Sequence, residues 1–342
     1  MLLKQLSDAI GVSSREGEVR DLLRGYLASS VGRMVTDRLG NLFCYKNWDA
    51  GSPKILLTAH MDEVGLMVTK IEKDGFVRFK SVGSIDPRVL VSKPVVIGPQ
   101  KVAGVIGAKP IHLQEPDERK KALDYKDLYI DLGVSSDEEA KKLVGLGDLI
   151  GFATQCEELL DGVVKGKAFD DRAGCYVLAE VLRQTQTSFA VVGVFTVQEE
   201  VGVRGAEVVG NTLQPDLAIV LEGTTAADVP EIEEHCQSTK LGGGPALTLM
   251  DRLVLAHRPT VKLLTRLADE LGLPVQFRRS AAGATEGGVL ERGNTGLPTV
   301  VISVPCRYIH SPVSLVSRRD LEATIKLVLA LLDYLHKEGV PA

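Results

Sequence analysis

FAVVGVFTVQEEVG, residues 189–202, opens as an apolar run and ends on two adjacent acids, Glu199 and Glu200. Such a run, bounded by polar and glycine residues, reads as a strand buried on both faces. Before it, DRAGCYVLAEVLRQ (171–184) is patterned as a helix. After it come the helical GAEVV (205–209) and the apolar strand LAIVLEG (217–223). The series continues with PALTLMD (245–251), the helix RPTVKLLTRLADELG (258–272), PVQFRR (274–279) and TVVISVPC (299–306). It closes on the amphipathic helix RRDLEATIKLVLALLDYLHK (318–337). Alternation of this kind predicts an α/β domain with helices on both faces of its sheet.

The chain starts in the same style. In EGEVRDLLRGYLAS, Val19, Leu22, Leu23, Tyr26 and Leu27 share one helical face. RMVTD and NLFCYK read as a hairpin about Leu39-Gly40-Asn41, and KILLTAH (54–60) as a buried strand. From about Gly65 to about Gly166 the texture changes to short strands at hairpin spacing, among them LMVTKIEKDGFVRFK with its Lys73-Asp74-Gly75 turn. One short helix, SSDEEAKKLVG, has Ser135 or Ser136 as its N-cap. GDLIGFATQ and VVKGKAF follow as strands. The expected organisation is an α/β domain made of residues 1–65 and 166–342, with a small β-barrel or sandwich, residues 66–165, inserted into it.

Composition excludes several classes. Among 342 residues, 25% are charged and the net charge is −5, with no basic patch to bind nucleic acid. Lys4 and Asp8 interrupt the apolar N-terminus, and no apolar run reaches the ~18 residues of a membrane span, so neither a signal peptide nor a membrane partner is expected. Cys44, Cys156, Cys175, Cys236 and Cys306 are scattered and lack C-x-x-C spacing, which suits reduced thiols in a cytoplasmic protein.

Adjacent carboxylates at a strand end repel each other and are costly to desolvate, so Glu199 and Glu200 call for a cation. Three other segments end alike. His60 and Asp62 follow KILLTAH, Asp170 and Asp171 precede a helix, and His310 follows TVVISVPCRY. Oxygen donors and imidazoles converging at strand ends describe a metal hydrolase. A two-metal site needs cations ~3.5–4 Å apart sharing a water, and a further carboxylate to take that water's proton. Asp170 can bridge the two metals. His60 and Glu222 can complete one, and Glu200 and His310 the other. Glu199 then remains as general base, while Asp62 can fix the tautomer of His60. Of the other histidines, His257 and His336 read as surface residues of helical segments, and His112 and His235 lie in polar loops that could line the pocket.

T-A-H-M-D-E-V-G (58–65), A-F-D-D-R (168–172), V-Q-E-E-V-G-V-R-G-A (197–206) and R-Y-I-H-S (307–311) resemble the tetrahedral (TET) aminopeptidases. The resemblance extends to G-V-S-S-R-E-G-E-V-R (11–20), D-R-L-G-N (37–41), G-S-I-D-P-R-V-L (83–90) and K-P-I-H-L (109–113). It implies a mixed-sheet α/β/α catalytic domain of the co-catalytic zinc peptidase type, with an inserted PDZ-like β-barrel that dimerises. His60, Asp170, Glu200, Glu222 and His310 become ligands of two divalent metals, zinc or cobalt, with Asp170 bridging. Glu199 becomes the base and Asp62 the partner of His60. The resemblance also implies a cis Asp170–Asp171 peptide, homo-oligomers in which dimers build a dodecamer, and peptide substrates with a free N-terminus. One departure concerns AGATEGGVLERG (282–293), where Glu286 stands for an aspartate common in the family, in a stretch that shapes the substrate pocket.

The competing reading is a glycoside hydrolase using paired carboxylates ~5–9 Å apart without metal. Sugar clefts favour aromatic platforms. This chain has one tryptophan, Trp48, and 5% aromatics, and paired imidazoles have no place in that chemistry.

Overall fold

Two N-terminal helices, α1 (Leu2–Asp8) and α2 (Gly17–Leu27), lead into the antiparallel hairpin β1 (Arg33–Thr36) and β2 (Leu42–Lys46), then the buried strand β3 (Lys54–His60). This is a computed structural model and describes residues 1–49, 51, 53–293 and 296–341. The chain then leaves for a closed six-stranded barrel of β4 (Gly65–Ile71), β5 (Val77–Val82), β6 (Pro94–Ile97), β7 (Val102–Ala108), β8 (Leu128–Asp131) and β9 (Leu149–Phe152). Helix α3 (Asp137–Leu143) lies between the last two, and Ser136 caps it by accepting from the Glu139 amide at 3.3 Å.

The short strands β10 (Glu157–Glu158) and β11 (Val163–Gly166) follow. Helix α4 (Phe169–Gln184) leads to β12 (Ala190–Thr196), α5 (Arg204–Thr212) and β13 (Leu217–Thr225). Then come β14 (Ala246–Thr248), α6 (Arg258–Leu271), β15 (Gln276–Phe277), α7 (Gly287–Glu291), β16 (Thr299–Arg307), β17 (Ser314–Ser317) and α8 (Arg318–Glu338).

The large sheet runs β1-β2-β12-β3-β13-β16-β17-β11-β10, with β14 also on β16 and β15 on β14. Its centre, β12, β3, β13 and β16, is parallel. Alternating side chains of these strands feed two cores. Ile55, Leu57, Ile219 and Leu221 pack with α4, α6 and α8 through Leu178, Leu264 and Leu331. Leu56, Val192, Val194 and Val220 pack with α5 and α7 through Val209 and Leu290. The expected α/β fold with helices on both faces is therefore the observed one. The barrel has its own core, including Leu66, Phe79, Val95, Ile106, Ile130 and Ile150.

One boundary differs from expectation. VVKGKAF was read with the β-rich segment, yet β11 pairs antiparallel with β17, and β10 with β11, so the large sheet resumes before residue 166. Local alternation marks a strand but does not say which sheet it joins.

Candidate metal centre and active site

Because β3, β12, β13 and β16 are parallel, their C-terminal ends open on one edge, where α/β sheets place their sites. His60 ends β3, Glu222 lies on β13, Glu199 and Glu200 follow β12, and His310 follows β16. Asp170 stands in the first turn of α4, before its regular helical backbone begins. Several residues here have left-handed backbone, with φ of 57° at Ala168, 59° at Gln198, 62° at Tyr308 and 54° at His310. Sparsely populated conformations of this kind gather at functional sites. The Asp170–Asp171 peptide is cis, as the resemblance implied.

The sequence-predicted residues converge. His60 Nε2 lies 3.1 Å from Glu222 Oε1, 3.5 Å from Asp170 Oδ1 and 3.9 Å from Glu199 Oε2. His310 Nε2 lies 3.2 Å from Asp170 Oδ2 and 3.4 Å from Glu200 Oε1. The Asp170 carboxylate thus turns one oxygen to each imidazole. His60 Nδ1 faces Asp62, 3.4 Å from its Oδ1 and 3.2 Å from its backbone oxygen, which leaves Nε2 for the cluster. Asp62 in turn accepts from the amides of Glu199 at 2.9 Å and Glu200 at 3.1 Å, and from Ser13 Oγ at 2.7 Å. One buried carboxylate therefore sets the orientation of His60 and of both acids after β12.

The electrostatics follow from packing many acids out of water. Burial, together with the neighbouring acids, pushes Glu200 up to about 8 and Glu222 up to about 7. Burial also holds Glu199 well above the usual carboxylate range, against the pull of His60, with Glu222 and Glu200 adding to the rise. Burial alone would lower His310, but its hydrogen bond to Asp170 and the charge of Glu200 win and raise it to about 9. Glu200 Oε1 and Glu222 Oε2 are buried with no hydrogen-bond partner. Orphaned buried carboxylate oxygens are costly unless a cation satisfies them. With imidazole and carboxylate donors the set suits a divalent transition metal. Among the described residues three groupings could each hold an ion: His60, Asp171 and Glu222; His60, Glu199 and Glu200; and Asp170, Glu200 and His310.

A cavity of about 620 Å³ opens over the cluster. Asp170, Glu199, Glu200, Glu222 and His310 line it, as do Ser238, Arg278 and Ser280. Residues 282–285 line it too, as the resemblance led us to expect of that stretch. Glu286 itself does not. It is fully buried and accepts from Thr196 Oγ1. His112 and His235 are exposed and do not line the cavity, although Cys236, next in sequence, does. His257 is half-buried, bonded to Thr260 Oγ1 at 2.8 Å, and His336 is exposed.

Sequence reasoning named Asp171 without giving it a role, and missed Ser13. Asp171 is fully buried and accepts from the amides of His60 at 3.1 Å and Gly174 at 2.8 Å, fastening the ends of β3 and α4 together. A second acid directly after Asp170 was a visible signal. Ser13 offered none, being one serine of a polar loop.

Residues 40–327 match the M42 glutamyl aminopeptidase family. The chain belongs to that family. It is similar to the TET aminopeptidase of the marine sediment archaeon Thaumarchaeota archaeon SCGC AB-539-E09, at 37% identity over 99% of this chain and 96% of that one, with a TM-score of 0.95. It is similar to the TET1 peptidase of Pyrococcus horikoshii, which can assemble into a tetrahedron or a large octahedral shell, at 30% identity over 96% and 98% and a TM-score of 0.85. A Thermotoga maritima protein described as an endoglucanase is 41% identical over 96% of each chain, with a TM-score of 0.80. M42 peptidases are metal-dependent, and this M42 chain is a metallo-aminopeptidase, a hydrolase. The endoglucanase label does not suit the site. Tyr308 is the one aromatic ring among Phe, Tyr and Trp lining the described cavity, and Trp48 lines a different cleft.

Proposed function

We propose that this aminopeptidase binds two divalent metals, zinc or cobalt, and removes the N-terminal residue of short peptides. His60 and Glu222 hold one metal, Glu200 and His310 the other, and Asp170 bridges them. The observation that carries this reading is the Asp170 carboxylate set between two imidazoles, 3.5 Å from His60 and 3.2 Å from His310. The unpartnered oxygens of Glu200 and Glu222 support it.

When bound, the metals supply Lewis acidity at the scissile carbonyl. Glu199, raised by burial, accepts the proton of the attacking water and passes it to the departing amine. Asp62 holds the His60 ring and the Glu199 and Glu200 backbone in place. The free α-ammonium of the substrate is anchored among the carboxylates that line the cavity.

The barrel, β4 to β9, serves assembly. Dimers build a closed dodecamer whose sites face an interior, in keeping with the tetrahedral assembly of the Pyrococcus horikoshii neighbour. The protein works in the cytoplasm, which its five free cysteines suit.

Glu199→Gln tests the central assignment. It should lower kcat by ~10²–10⁴-fold while metal content per chain, measured on the purified variant, stays at the wild-type value. Loss of metal together with activity would mean that Glu199 is a ligand and the roles of the two acids are exchanged.

A further inference from the structure

The chain leaves the large sheet for the barrel between His60 and Gly65, returns after Phe152, and passes from β11 through Lys167 and Ala168 into α4. A buried ion triad ties this outward crossing to the β11–α4 junction. Glu63, on the outward crossing, receives Lys167 Nζ on both carboxylate oxygens, at 2.9 and 2.8 Å, and Arg172 Nη2 at 3.2 Å. All three side chains are almost wholly buried. The triad also fastens the N-terminal segment. Lys167 Nζ donates to the Ala9 oxygen at 2.6 Å, and the Gly11 amide donates to Glu63 Oε1 at 2.8 Å. Arg172 Nε donates to the oxygen of Met61, between His60 and Asp62, at 2.8 Å.

We propose that Glu63, Lys167 and Arg172 are positioning residues that clamp the outward barrel crossing to the β11–α4 junction and so set Asp62 and His60 against Asp170 for metal binding. Three observations carry this.

The first is placement. Glu63 directly follows Asp62, Lys167 precedes Asp170 by three residues, and Arg172 follows it by two. A crevice of about 10 Å³ is lined by Glu63 and Lys167 together with Asp170, Glu200, His310 and the barrel residue Phe152.

The second is packing. A Cβ on Gly11 would lie 2.6 Å from Arg172 Nη2, and one on Gly65 would lie 2.5 Å from Val12 Cγ2 and 2.8 Å from the Ile150 oxygen. The guanidinium and the barrel root are both seated without slack.

The third is energetic. Buried ion pairs repay their desolvation poorly and are weak sources of stability, whereas their geometry is directional. Stability alone is thus a poor account of two cations and one anion placed here.

The proposal rests on the ligand set given above, so wild-type metal binding is measured first. Zinc or cobalt is titrated calorimetrically into the chelator-stripped full chain. No binding to the wild type would overturn the ligand set itself. Given binding, Lys167→Met and Glu63→Gln should each weaken affinity by about tenfold or more, the effect typical of losing an outer partner of a metal ligand.

Leu331→Ala, a core change in α8, serves as the stability control. It should lower the metal-free melting temperature and leave metal affinity unchanged. Gly65→Ala, which presses on the barrel root, should weaken binding in the wild-type background and add little in Lys167→Met, since the clamp is already open. Wild-type affinity in both triad variants would overturn the proposal. So would an equal affinity loss in Leu331→Ala at matched destabilisation, or simple additivity of Gly65→Ala and Lys167→Met. If Lys167→Met does not fold, Glu63→Gln, alone and combined with Gly65→Ala, decides by the same outcomes.

Discussion

Glu200 and Glu222 show how a metal site looks to its own ligands before the metal arrives. Burial raises them from 4.5 to about 8 and about 7, and His310 rises from 6.5 to about 9 because its acidic neighbours outweigh burial. In the metal-free protein these groups bind protons more tightly folded than unfolded. Their contribution to stability is therefore present in acid and is lost as pH rises, from about 4.5 to about 8 for Glu200 and from about 6.5 to about 9 for His310. Metal binding requires the carboxylates and imidazoles deprotonated, so affinity runs the other way and rises with pH. The gap in melting temperature between metal-loaded and chelator-treated protein should widen from about pH 5 to about pH 8. A gap that is constant over this range would contradict the assignment of Glu200, Glu222 and His310 as ligands. Activity should fall below roughly pH 6, as metal is lost from the imidazoles.

Strand β12 explains itself through its neighbours. AVVGVFT is fully buried, and its glycine sits where α4 crosses, since a Cβ on Gly193 would lie 2.5 Å from Leu182 Cδ1. Gly193→Val should cost about 1–3 kcal/mol by overpacking, read from urea unfolding of the metal-free protein. An unchanged midpoint would mean that α4 can shift away from β12. The α3 cap is a milder case. Ser136→Ala removes the acceptor of the Glu139 amide and should cost about 0.5–2 kcal/mol, felt in the barrel and not at the metal cluster. Most of these elements were legible in the sequence, because apolar spacing is a local property. The hairpin of β1 and β2, the long α8 and the Ser136 cap all lie where expected. The sheet to which β11 belongs was not legible, since its partner β17 is about 150 residues away in sequence and strand pairing depends on what else competes for each edge.

For the whole molecule, the proposed assembly makes two expectations concrete. Light scattering of the metal-loaded protein should give a mass near twelve chains of 36.8 kDa. A monomer at micromolar concentration would rule out the closed shell. Enclosed sites would admit short or unfolded peptides, and an N-acetylated peptide should be refused because it lacks the ammonium that the carboxylates anchor. Cleavage of the acetylated peptide at a comparable rate would remove the exopeptidase geometry from the argument. Among the described residues no helix is long and apolar enough to cross a membrane.

By itself the sequence determined the alternation of helices and strands, the barrel inserted between two parts of an α/β domain, and the candidates His60, Asp62, Asp170, Glu199, Glu200, Glu222 and His310. Each was visible because a short motif places polar residues at the end of an apolar run. Tertiary structure alone decided which other groups surround them. Ser13 reaches Asp62 across 49 residues, and Lys167 reaches Glu63 across 104. Glu286, adjacent to pocket residues in sequence, does not line the cavity and is buried, accepting from Thr196. Periodicity and motif spacing report a residue's own strand or helix. The partners of a buried charge are set by how those elements pack, because low-dielectric surroundings force each charge to find a counter-charge or a donor wherever the fold supplies one.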